Sequence, residues 1–392
     1  MNDLTVHLTG ADILRDGLTE HSDISILGGT FTDAPCGVEI DLTGYLLMPG
    51  IIDLHGDAFE RHLAPRPSAP FAPEIGLRST ERELLSNGVT AAYLAQSWSW
   101  EGGFRSPSAA VNLMKVIDAY RPYMIADMRV QVRFEYYLTD DGDALLNAAQ
   151  LYGVDYIVFN NHLDQGIEMV ETKPQALANW AAQNKRTIEQ HLELMFVAKA
   201  TEPKVPDFIL QLGSEFARLG IDSGSHDDET VETRNLFNGA GAKICEFPLN
   251  IETAAHARSL GNPILMGAPN VVRGGSQSGN IAATDLIREG LCDVLVSDYY
   301  APALATAAWT LVNQRILNLP QAWKMVSSNA ADAKGWTDRG WIASGQRADA
   351  VIINKETRQI EGTIAGGQIG YANGGFATRL LSGQMPRKIV AA

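Results

Sequence analysis

Cysteine is scarce in this chain: Cys36, Cys245 and Cys292 are the only three in 392 residues. Their odd number and wide spacing exclude a disulfide framework and any zinc site built from thiolates. They read as thiols of a reducing cytoplasm, which is the expected location. Long apolar runs are also missing, and none is of a length to cross a bilayer. The segment Met1-Asn2-Asp3-Leu4-Thr5 lacks the basic-then-apolar order of a secretory signal. Positive charge is short as well, with 31 Lys and Arg against 46 Asp and Glu, a formal net charge of -15. That balance argues against nucleic acid or an anionic membrane as partner. It leaves room for a phosphorylated small molecule, since a few local cations outweigh a distant acidic surface. No internal repeat or low-complexity tract marks independent halves.

What is present is an ordinary globular composition, 45% hydrophobic and 20% charged. Val6-His7-Leu8-Thr9, Ile24-Ser25-Ile26-Leu27 and Val38-Glu39-Ile40-Asp41-Leu42 read as strands between Gly- and Asp-containing turns. Ala348–Ile353 and Gln368–Ala372 repeat this style at the other end. One small β-sandwich domain built from both termini, residues 1–50 and 340–392, is therefore expected. Between them, short apolar strands alternate with helical segments, from Thr90–Leu94 through Arg129–Phe134, Tyr156–Phe159, Ile244–Phe247 and Ile264–Gly267 to Val294–Ser297. Such alternation implies parallel strands with crossover helices over residues 51–339, as a closed eight-stranded barrel or an open doubly wound sheet. Asp164 to Thr201 reads as a helical insertion or extended crossover.

Ligand-type residues recur where these strands end. His55 and Asp57, two apart on Ile51-Ile52-Asp53-Leu54-His55-Gly56-Asp57, share a strand face. Glu135 closes Val130–Glu135, His162 follows Tyr156–Asn161, His226 sits in Ser225-His226-Asp227-Asp228, and Asp298 ends Asp293–Asp298. Together they form a set suited to two divalent ions. Asp298 has a second expected role, as the carboxylate that takes a proton from the attacking water. His7 and His21 fall in the terminal domain, and His191 and His256 read as helix-surface residues. His62 is open between phosphate contact and a loop role, the loop being favoured.

Pro49-Gly50-Ile51-Ile52-Asp53-Leu54-His55-Gly56-Asp57 resembles the first-strand motif of the amidohydrolase superfamily, and Gly345-Gln346-Arg347-Ala348-Asp349-Ala350-Val351 its C-terminal return to a small β domain. The resemblance implies an α/β fold, a (β/α)8 barrel of TIM type, with a bridging acid on strand four, histidines on strands five and six and an aspartate on strand eight. Glu135, His162, His226 and Asp298 are matched to those places. One branch is closer still. Met266–Asn280, Ser225-His226-Asp227-Asp228, Ser297-Asp298-Tyr299-Tyr300 and Ala64-Pro65-Arg66-Pro67 resemble the phosphonate-utilisation amidohydrolases of the carbon–phosphorus lyase pathway, which also carry His-x-Asp on the first strand.

That branch implies a hydrolase that cleaves α-D-ribose 1-methylphosphonate 5-triphosphate to the 5-phosphate and diphosphate. Two divalent ions are expected, zinc first and manganese or iron as alternatives. Arg66, between two prolines, and Arg273, Ser276, Ser278 and Asn280, in a Gly-rich loop, are the expected phosphate contacts. A rigid Pro-Arg-Pro turn and a merely flexible Gly-Gly-Ser connection are the structural alternatives. The competing functions are hydrolysis of a C–N bond, in a cyclic amide or N-acyl compound, and an inactive paralogue acting as scaffold. A homo-oligomer is left open. Asn160-Asn161-His162-Leu163-Asp164-Gln165-Gly166, Ala58–His62 and the aromatic Gln96–Gly103 loop depart from the branch near the expected pocket.

Overall fold

The computed structural model describes residues 4–15, 17–66, 70–276 and 279–384. Eight parallel strands, each paired with the next in chain order, form one of two eight-stranded sheets. The first to fourth are Ile51–Gly56, Val89–Trp98, Asp127–Glu135 and Tyr156–Asn160. The fifth to eighth are Asp222–His226, Ile244–Glu246, Ile264–Gly267 and Val294–Val296. Helices connect them, as the alternation of apolar runs and periodic segments predicts. Strands covered on both faces need no polar alternation, and every residue of Tyr156–Asn160 is buried. Ile52, Leu54, Tyr93, Tyr156, Val158, Leu265, Val294 and Val296 fill the interior.

The eighth strand returns to the first. Asp298 N donates to His55 O at 2.9 Å, and Asp57 N donates to Asp298 O at 2.8 Å. Asp53 strengthens the seam by accepting from Ser297 N at 2.9 Å. Gly56 is required there, because a Cβ would stand 2.6 Å from Ser297 Oγ and 2.8 Å from Asp53 Oδ2. Gly50 plays a similar part where the chain enters the barrel, packed against Thr90 and Asp349 with no room for a side chain.

The expected small domain from both termini is one continuous mixed sheet. Its order is Gln368–Ala372, Ile360–Ala365, Ala350–Asn354, Tyr45–Pro49, Val6–Arg15, Leu18–Leu27 and Thr30–Thr32, with Val38–Asp41 against Val6–Arg15. The register of Val6–Arg15 shifts between Leu8 and Ala11. Its first half pairs with Val38–Asp41 and its second with Tyr45–Pro49. Gly10 lies at the shift with φ 71, a conformation that favours glycine. Helix Gly374–Gln384 packs Phe376 and Leu380 onto this sheet's core.

Past the fourth strand lies the insertion foreseen from Asp164 to Thr201. It forms three helices, Leu163–Thr172, Pro174–Gln183 and Ile188–Lys199, before the crossover helix Val205–Leu219. Thr187 and Gln190 make a reciprocal capping box that starts the third of these.

At the opposite end of the barrel, Asp127 accepts from Arg129 and Arg339. Burial pushes its carboxyl up, but hydrogen bonds from Arg129 and Arg339 overcome this and hold it at about 2, below the usual 3.8. Its folded value is depressed, so its stabilisation is present above pH 4 and is lost as pH falls through 2. Wild type is expected to lose about 2 kcal/mol relative to Asp127→Asn between pH 5 and pH 2. Parallel urea titrations would check this, and parallel pH profiles for the two proteins would count against it.

Candidate active site

The side chains singled out at strand ends gather at the carboxyl end of the barrel, where loops rather than core packing decide the chemistry. Their strand numbers need correction. Glu135 closes the third barrel strand, not the fourth. His162 follows the fourth and His226 ends the fifth, one strand earlier than the resemblance implied. The sixth strand instead ends in Glu246, which sequence reasoning passed over. Asp298 follows the eighth strand as expected.

His55 is 1% exposed and its Nδ1 donates to Glu246 Oε2 at 2.7 Å. Glu246 also accepts from Gln131 Nε2 and Tyr156 Oη, both at 2.6 Å. With three donors on a fully buried carboxylate, Glu246 is best placed to orient His55 and fix its tautomer. Nε2 of His55 is then the nitrogen with a free lone pair. The His226 ring lies 5.2 Å from that of His55 and 4.9 Å from Phe247. Its buried Nδ1 is 3.1 Å from Asp227 Oδ2 yet makes no aligned hydrogen bond. Burial lowers the His226 pKa below its ordinary value. His55, His226 and Glu246 form one group of converging donor atoms.

Glu101, Glu135 and His162 form a second group. His162 Nδ1 stands 3.0 Å from Glu101 Oε1 and from Glu135 Oε1. Burial lowers the basicity of this imidazole, but the Glu135 charge and hydrogen bonds to Glu101 and Glu135 carry it up to about 9. Burial raises Glu101, and the His162 and Arg105 interactions more than reverse this, to about 2. Arg133 runs between the groups, donating to His162 Nε2 at 3.1 Å and to Asn160 Oδ1 at 3.3 Å. Asp57 belongs to neither group. It faces Arg133, Oδ2 to Nη1 3.8 Å, just beyond the end of the first strand.

Burial lifts the Asp298 carboxyl to about 6, with His55 opposing and Asp57 adding to the rise. Its backbone is left-handed at φ 54, as are Asp227 at 59 and Phe247 at 52. Three non-glycine residues in this costly region follow the eighth, fifth and sixth strands, a clustering typical of functional sites. Asp298, His226 and Asp227 line a cavity of about 180 Å³ together with Gly275, Ser276 and Asn280. The predicted phosphate loop thus shares a cavity with two predicted ligands.

Of the other expected contacts, Arg66 and Arg273 do not line this cavity, though Arg273 reaches its edge through Tyr299, which does. Arg273 ends helix Ala268–Arg273 and donates to Tyr299 Oη at 3.2 Å. Arg66 is exposed, and no hydrogen bond or ion pair ties it to a described residue. Ser278 lies outside the described residues. His62 lies on the short helix Glu60–Leu63 and not in a loop, its Nε2 2.5 Å from Glu83 Oε2 on helix Pro73–Ser86.

Glu246, Glu101 and Arg133 were missed. Glu246 closes a run already read as a strand, Ile244-Cys245-Glu246-Phe247, and the strand-end rule applied to it would have found it. His191 is a correction: it is fully buried between Trp100 and Trp180, at ring distances of 5.4 and 5.1 Å, not on the helix surface. The inward face is hard to read because His191 shares it with Met195 and Ala198 while the apolar Phe196 and Val197 are exposed.

No family model matches the chain. It is 30% identical over 335 residues to the alpha-D-ribose 1-methylphosphonate 5-triphosphate diphosphatase of Escherichia coli (strain K12), covering 82% of this chain and 86% of that protein. Among solved structures, the dihydropyrimidinase of Brevibacillus agri NCHU1002 superposes with TM-score 0.62 at 12% identity, covering 94% of this chain and 95% of that one. N-acetylglucosamine-6-phosphate deacetylase of Pasteurella multocida gives TM-score 0.62 at 13% identity, over 94% and 100%. An amidohydrolase structure gives 0.64 at 14%, over 95% and 100%. The three share the fold, and the diphosphatase likeness adds sequence kinship over most of both chains. The chain belongs to the family of that diphosphatase, on a fold it shares with these hydrolases.

Proposed function

We propose that the protein is a metal-dependent hydrolase of phosphonate degradation in the cytoplasm, converting α-D-ribose 1-methylphosphonate 5-triphosphate to the 5-phosphate with release of diphosphate. The observation that carries this reading is the single cavity joining His226 and Asp298 to Ser276 and Asn280. A site that only cleaves a neutral amide has no need of a Gly-rich loop beside its ligands. At about 180 Å³ the cavity is smaller than the roughly 300–1,000 Å³ of whole-ligand pockets. It suits one end of an elongated substrate.

The donor set fits divalent ions, because imidazoles and carboxylates converge and His226 Nδ1 is buried without an aligned partner. His55, Asp57, Glu135, His162, His226 and Asp298 would hold two ions, zinc before manganese or iron. Bound there, the ions supply Lewis-acid polarisation of the phosphoryl group and a water acidic at neutral pH. The protein does the rest. Asp298 accepts the proton as water attacks the α-phosphorus and returns it toward the departing diphosphate. Glu246 keeps the His55 ring from turning. Arg133 adds fixed positive charge in the floor, where negative charge grows in the transition state. Ser276 and Asn280 steady the leaving phosphates, and Arg273 offers them a guanidinium.

A substrate panel tests the reading with the zinc-loaded protein. Diphosphate is expected from the ribosyl phosphonate triphosphate, with little release from simple nucleoside triphosphates and no ring opening of cyclic amides. Arg273→Gln should raise KM for the triphosphate by about tenfold, the loss of one charge-assisted contact. Turnover of a cyclic amide alone would assign the site to C–N hydrolysis.

A further inference from the structure

The loop after the second barrel strand, residues 99–105, sends Glu101 into the site although the proposed ligand set does not use it. Glu101 is 1% exposed, and one of its oxygens lies 3.0 Å from His162 Nδ1. Glu135 presents an oxygen at the same distance from the same nitrogen. Two carboxylates and an imidazole from three different strand ends therefore converge on one point. Both acids are buried, and although Glu101 is also paired with Arg105, two carboxylates face one imidazole.

Glu101 is held there by the insertion. Trp180, on helix Pro174–Gln183, donates Nε1 to Glu101 Oε2 at 3.0 Å. Arg186 donates to the Glu101 carbonyl at 2.7 Å. His191 and Trp180 enclose the neighbouring Trp100 ring. On its outer side Glu101 lines a second cavity, of about 540 Å³, with Glu60, Arg61, Arg105, Trp180 and Asn184.

We infer that Glu101 is a ligand of the second divalent ion, shared with Glu135 and His162, and that the 163–199 insertion exists in part to hold it in place. Coordination would replace the His162 Nδ1–H contact with the two carboxylates by ligation from the same three side chains. The inference rests on the two-ion reading above and adds a ligand to it. The competing reading is that Glu101 only closes its loop through Arg105, whose Nη1 lies 3.2 Å from Oε2.

Full-length protein stripped by chelator and titrated with Zn2+, followed by calorimetry and elemental analysis, separates the two. Wild type should take two ions per chain. Glu101→Gln should weaken one by at least about tenfold and leave the other unchanged. Trp180→Phe keeps an aromatic ring, though a smaller one, and removes the N–H donor, and should weaken the same ion by about fivefold. A thermal midpoint for each variant checks that it is folded. Wild-type affinities for both ions in the two variants, or a single ion in wild type, would overturn the inference. Loss of one ion in Glu101→Gln from a protein that releases no diphosphate would uphold the ligand and sink the proposed reaction.

Discussion

Asp298→Asn is expected to lower kcat by roughly 10²–10⁴-fold, the span associated with losing a positioned general acid–base group. The prediction is sharp because the fold needs the Asp298 backbone rather than its carboxylate. The N–H and carbonyl that join the eighth strand to the first are unchanged by the substitution. Asparagine also tolerates the left-handed backbone at φ 54, which alanine does not. KM and the thermal midpoint should therefore stay near wild type while turnover collapses. Near-normal kcat in steady-state diphosphate release would move proton transfer to another carboxylate. Asp227, in the same cavity, is the next to test.

Asp228→Ala is expected to cost about 3–5 kcal/mol of unfolding free energy, the usual result of stripping one partner from a buried ion pair. Arg234 is fully buried and Asp228 is 1% exposed. Arg234 Nη1 donates to Asp228 Oδ2 at 3.0 Å and to Ser225 Oγ at 2.6 Å, while Nη2 reaches the Ala242 carbonyl. Without Asp228 a guanidinium remains in the protein interior with only neutral acceptors. Replacing both, Asp228→Leu with Arg234→Met, should cost distinctly less than the single change, because no charge is left behind. Urea unfolding of the three variants reads the difference. A single-variant cost below about 1 kcal/mol would put this pair in the class of exposed salt bridges. The two aspartates of Ser225-His226-Asp227-Asp228 thus divide their work, Asp227 facing the cavity and Asp228 anchoring the turn that carries His226.

The fold was largely legible because both of its parts advertise themselves in apolar pattern. Strands buried on two faces read as short continuous runs, and the helices between them as periodic segments. The strand Ile360–Ala365 escaped notice since Glu361 and Gly362 interrupt its apolar run. Within the site, the six strand-end residues could be picked out because each stands at or just after a recognisable run. Arg133 could not, because an arginine inside Val130–Phe134 reads as the outward face of a strand until the barrel's curvature is known. Glu101 was hidden differently. Its partners Trp180 and Arg186 lie 79 and 85 residues away, and only the folded insertion brings them to it.

The seam between the eighth and first strands has a consequence for how the protein comes into being. Asp298 meets His55 and Asp57 across about 240 residues of chain, through backbone bonds that also shut the barrel. Contacts so distant in sequence are slow to form, since a long loop must be closed before they repay its entropy. On the ribosome, the first-strand histidine is made long before its partner emerges. Catalytic competence should therefore arrive last during refolding, after most helical signal has returned, and the regain of activity should time the final ring closure.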